Sequence, residues 1–122
     1  MSGSVVTQPV GPTYAISVAN TQSTAIGVVP IQRDTMATAE FFNSGTTHVC
    51  VVLAPYASTP ATPALAFPVA GTPTVPNSFM LPGGMTQPRI VTVPHNGFCV
   101  SAIASAAGPA IIYITPVSTV GG

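Results

Sequence analysis

Asn43-Ser-Gly-Thr-Thr-His-Val-Cys-Val-Val-Leu53 is the stretch that decides the fold. Its first four residues are a hairpin signal, because Asn and Gly tolerate the positive φ that tight turns need. The rest, Thr47 to Leu53, reads as a strand. Alternation puts Val49, Val51 and Leu53 on one face and His48, Cys50 and Val52 on the other. Apolar residues on both faces predict a central strand covered on two sides.

Working outward, the same grammar repeats. Tyr14, Ile16 and Val18 alternate with small residues and read as a first strand, followed by an Asn20-Thr-Gln-Ser turn. Strands are expected at Thr24–Val29, Ala37–Phe42, Asn77–Leu81, Arg89–Val93, Phe98–Ala104 and Ala110–Thr115. Arg33 and Asp34 fall in an expected loop. Pro82-Gly-Gly84, His95-Asn-Gly97 and Ala106-Ala-Gly-Pro109 read as turns. With 14 prolines, no Lys and one Glu, long helices have no place to form. About eight short strands with regular turn signals predict an all-β fold, an antiparallel β-sandwich or jelly-roll-like domain.

Three segments stand apart. Residues 1–12 read as an irregular N-terminal arm, carrying Val5, Val6 and Val10. Residues 117–122 read as an exposed tail. Between them, residues 13–116 form one domain, with a Pro-rich loop at 55–76 inserted. Loops of that length are usually functional or disordered. Within it Leu65, Phe67 and Val69 alternate, as a short edge strand or an extended segment packed on a neighbour would.

Charge is the second informative feature. Four of 122 residues are ionised: Arg33, Asp34, Glu40 and Arg89. A soluble domain carries about 25% charged residues; this chain has 3%. A monomer of this mass exposes roughly 6,000 Å², so most of its surface is Ser, Thr, backbone and apolar side chains. Zero net charge promotes association, which predicts a subunit of an assembly. With no basic patch, no nucleic-acid partner is expected. No apolar run approaches the ~20 residues of a membrane helix, so no membrane partner is expected either. The opening Met1-Ser-Gly-Ser lacks the basic and apolar regions of a secretory signal.

Chemistry-bearing residues are few. Asp34 and Glu40 are the only carboxylates of side chains. His48, Cys50, His95 and Cys99 make a conceivable four-ligand zinc set, but paired zinc ligands normally sit on turns or knuckles. The two cysteines lie in apolar runs, as buried free thiols do; a disulfide stays open if their strands are neighbours. No phosphate loop, nucleophile elbow or HExxH pattern occurs. No catalytic residue, metal or cofactor is expected. Most of the eight aromatics fall beside aliphatics and read as core; Tyr56, in the Pro-rich loop, is the best contact candidate.

Ala39-Glu-Phe-Phe-Asn-Ser-Gly-Thr-Thr-His-Val-Cys-Val-Val-Leu53, Leu81-Pro-Gly-Gly84, Phe98-Cys-Val-Ser-Ala-Ile-Ala-Ser-Ala-Ala-Gly108 and Ile111-Ile-Tyr-Ile-Thr-Pro116 follow one another across roughly residues 36 to 116. This order resembles small β-sandwich virion proteins of tailed bacteriophages, the capsid decoration or cement proteins among them. The resemblance implies a structural, non-enzymatic protein on the capsid surface, made in the host cytoplasm. Its expected partners are the major capsid protein and sister copies in a homo-oligomer, a trimer being one such state. The expected contacts are Val5, Val6, Val10, Tyr56, Leu65, Phe67 and Val69. The alternative is a β-sandwich binding module of a head or tail fibre, recognising glycan or a host surface through loop aromatics.

Overall fold

The computed structural model describes residues 5–29, 38–94, 97–107 and 110–121. For residues 5–7 and 119–121 it describes the backbone alone. Arg33, Asp34 and His95 lie outside the described residues.

The described residues are all-β, with nine strands and no helix. They are β1 (Val5–Pro9), β2 (Tyr14–Val18), β3 (Ile26–Val28), β4 (Thr38–Asn43), β5 (Val49–Pro55), β6 (Ser78–Leu81), β7 (Arg89–Thr92), β8 (Phe98–Ala104) and β9 (Ala110–Gly121). Two antiparallel sheets form. One runs β1-β9-β4-β7, with β2 also on β9; the other runs β3-β8-β5-β6. Pairing is nested: β2 with β9, β3 with β8, β4 with β7, β5 with β6. A long hairpin folded over on itself in this way is the winding of a jelly roll.

The core lies between the sheets. Phe41 and Phe98 are fully buried. Phe41 meets Phe79 edge-on at 5.0 Å and Phe98 at 6.1 Å, geometries that aromatic quadrupoles favour. β5 and β8 are the middle strands of their sheet, and all seven residues of β8 are buried. The two-sided burial expected for Val49 to Leu53 is observed. Val49, Val51 and Leu53 join the main core; Cys50 and Val52 join a second cluster on the outer side.

One end of the sandwich is laced by main-chain bonds between successive turns. Ser44 N–H donates to Ile111 O, Gly84 N–H to Gly45 O, and Ser105 N–H to His48 O. Buried Asn43 ties the same turns. Its amide donates to Thr47 O at 2.8 Å and reaches Leu81 O, while its Oδ1 accepts from Gly45 N–H at 2.9 Å. Gly83 packs so closely here that an added Cβ would lie 2.0 Å from Thr46 O.

Both ends of the chain correct the sequence reading. Val5–Pro9 is not an irregular arm but a strand, in register with Val117–Gly121, which is not a loose tail. The last strand, expected to end at Thr115, runs on through Pro116 to Gly121. Pro116 is tolerated inside β9, because Pro116 O accepts from Val10 N–H in the gap between β1 and β2. In an antiparallel strand a residue's N–H and C=O point the same way. The missing proline donor therefore faces that gap and costs no bond to β4.

Candidate functional site

The groups that carry chemistry do not converge. Cys50 pairs across the sheet with Ile103, and Cys99 with Ala54. Four strand steps, about 13 Å, therefore separate them, well beyond the ~7 Å that a disulfide spans between Cα atoms. Both thiols are free and buried. Burial pushes the Cys50 thiol above its usual pKa, opposed by a hydrogen bond with Ser78. His48 is exposed, and its Nδ1 accepts from Gly83 N–H at 3.0 Å. Among the described residues no three His, Cys, Asp or Glu side chains cluster to hold a metal.

The Pro-rich segment folds back on its own domain. Leu65 is buried against Cys50, Val52 and Ile103, with Phe67 and Val75 beside it. Leu65 and Phe67 form no strand; only Val69 makes an isolated bridge, to Thr72. The extended-segment alternative is the one observed, because frequent prolines remove the donors a ladder needs. Gln22 pins it. The side-chain amide of Gln22 donates to Pro63 O at 2.9 Å and to Ser101 Oγ at 2.8 Å, and its Oε1 accepts from Leu65 N–H at 2.8 Å. Sequence reading placed Gln22 in a turn and missed this role, since its partners are some forty and eighty residues away. Val69, at 65% exposure, is the most exposed large apolar side chain of the segment.

The opposite sheet has no such cover among the described residues. Its outward face carries Ile111 and Tyr113 on β9, each 39% exposed, and Ile90 on β7, 48% exposed. Tyr113 stands between Ala15 on β2 and Phe42 on β4. None of these residues was singled out from sequence. The run Ile111-Ile-Tyr-Ile114 has apolar residues on both faces, like β5, but among the described residues no segment covers its outer face.

Other contact candidates are dispersed. Val10 packs partly buried against the core. Val5 and Val6 lie on β1. Tyr56, 41% exposed, lies against Gly27, where a Cβ would meet its ring at 3.0 Å. Between the free edges of β6 and β7 the sheets part. A cleft of about 440 Å³ opens there, lined by Leu53, Phe79, Val91, Val93 and their neighbours. Arg89 on β7 reaches across to β6, its guanidinium 5.2 Å from the centre of the Phe79 ring and donating to Met80 O at 2.9 Å. This caps an edge carbonyl that would otherwise be open to pairing. No family model, curated protein or solved structure matches this chain.

Proposed function

We propose that this protein is a structural component of a virion, a capsid decoration protein that binds and stabilises the capsid lattice through protein–protein contacts. The observation that carries this reading is an apolar sheet face, uncovered among the described residues, on a molecule with almost no charge. Four ionised residues serve a surface of 6444 Å². A surface so neutral neither repels its copies nor stays well solvated alone. Contiguous exposed apolar area marks interaction sites. The jelly roll fits the reading, since capsid proteins use it, but lectins and enzymes do too.

In this account the partners are the major capsid protein and sister copies. Binding is driven by apolar burial, with no step of bond chemistry and no cofactor. There is little Coulombic attraction for salt to screen. The test is co-sedimentation of the purified chain with phage capsids at low and high ionic strength. The expected result is saturable binding that persists in high salt. A chain left in the supernatant at every salt concentration would overturn the reading.

A further inference from the structure

We propose that residues 57–73 form a displaceable strap, which lifts from the outer face of the β5-β8 pair as a unit while the sandwich beneath stays folded. Release of the strap is a property of the chain alone and does not depend on the decoration reading above. Three observations carry it.

The first is how little holds the strap down. Of residues 57–73, Leu65 alone is buried. Among the described residues, every hydrogen bond from the strap to the rest of the domain ends on Gln22 or Ser101. Thr62 Oγ1 lies 2.6 Å from Ser101 Oγ and accepts from the Gln22 amide at 3.3 Å. Pro63 O accepts from the same amide, and Leu65 N–H donates to Gln22 Oε1. Segments with few buried side chains and few shielded hydrogen bonds open at the low end of a protein's stability. The far half of the strap is also loosely packed. A hollow of about 350 Å³ opens there, lined by Phe67, Val69, Thr72, Val75 and their neighbours.

The second is that the face beneath survives uncovering. β5 is paired on both sides, with β6 and β8, and β8 lies between β3 and β5. Lifting the strap therefore breaks no ladder bond. Buried Ser101 keeps the Gln22 amide, which donates to its Oγ at 2.8 Å. What comes into water is the side chains of Cys50, Val52 and Ile103, at a cost in apolar hydration.

The third is the strap's own chemistry. Pro60, Pro63, Pro68 and Pro73 have no N–H to leave unpaired. They also restrict the released chain, so opening and closing change its order little. The consequence is a second apolar face, on the other side of the sandwich from Ile111 and Tyr113. It is concealed while the strap is down and bared when the strap lifts.

The test is alkylation of Cys50 by N-ethylmaleimide in the intact chain, read by site-resolved mass spectrometry at urea concentrations below the unfolding transition. Cys50 is buried in one cluster with Leu65, so its reaction reports uncovering. The expected rate is slower than in the unfolded chain, yet at least about tenfold faster than global unfolding allows. It should also be nearly independent of urea, because strap release exposes little surface. A locked form supplies the second arm. Thr62→Cys combined with Ser101→Cys, at hydroxyls 2.6 Å apart, ties the strap down once the two are oxidised to a disulfide. Oxidation should slow Cys50 alkylation at least about tenfold against the reduced form of the same variant. Alkylation that follows the loss of circular dichroism signal across urea would overturn the proposal. So would a Cys50 that reacts as fast as in the unfolded chain, or a locked form that reacts as fast as its reduced one. The urea series on the wild-type chain decides the matter even where the double variant folds poorly.

Discussion

Two adjacent glycines show how differently single residues act in this fold. Gly83 has no room: its Cβ would lie 2.0 Å from Thr46 O and 2.9 Å from Thr47 N. Gly83→Ala must push two turns apart, and roughly 2–3 kcal/mol of stability should be lost. Gly84 has open space around it but φ of +73°. Gly84→Ala should cost about 1–2 kcal/mol from backbone conformation alone. Urea unfolding of both variants checks the order; equal losses would contradict it. Asn43 is a third case. It reads in the sequence as the first residue of a turn, and it is that, but it is also 1% exposed with both ends of its amide bonded. Asn43→Ala leaves Thr47 O and Gly45 N–H without their partner, and about 2–3 kcal/mol should go. Cys50 responds to pH. Its folded pKa is raised by burial, so the native state keeps a proton that the unfolded chain releases. The stability this contributes is complete below the unfolded value, near 8.5, and is lost as pH rises from there through the folded one. The melting temperature should fall in that alkaline window, and less steeply in Cys50→Ala; identical slopes would argue against a buried thiol.

At the scale of elements, the strands with strong local patterns were legible. β5 and β8 are near-continuous runs of β-branched and small apolar residues bounded by turns, and their expected spans match within two residues. What local pattern cannot carry is pairing. β2 and β9 meet across almost the whole chain, and no spacing announces that partnership. The two ends were misread for the same reason: Val5–Pro9 and Val117–Gly121 are short and weakly patterned alone, and become strands through each other. The Pro-rich segment was legible as unusual but not as a cover, since that depends on Gln22 and on the apolar outer side of β5. Its hold is testable. Gln22→Ala removes the anchor and Leu65→Ala the plug; the latter should cost roughly 2–3 kcal/mol. In both, alkylation of Cys50 under native conditions should quicken relative to wild type. A Cys50 as slow in Leu65→Ala as in wild type would mean that the segment does not shield that face.

For the whole molecule, the consequence of these parts is asymmetry. One sheet face is sealed by the chain's own segment, the other is left open by the described residues, and charge is too sparse to keep either wet. The contact residues expected from sequence fell largely on the sealing segment, where Leu65 serves the chain itself. The open face escaped notice because exposure is a property of packing, and Ile111 and Tyr113 look like core in one dimension. Removing residues 1–9 would strip β9 of its partner along Val117–Gly121, and capsid occupancy should fall with the loss of that strand; full occupancy would remove β1 from the contact. The measurement that bears most directly on the account is light scattering of the purified chain with and without phage capsids. The account predicts self-association and co-migration with the particles. A stable monomer at high concentration, indifferent to capsids, would contradict it.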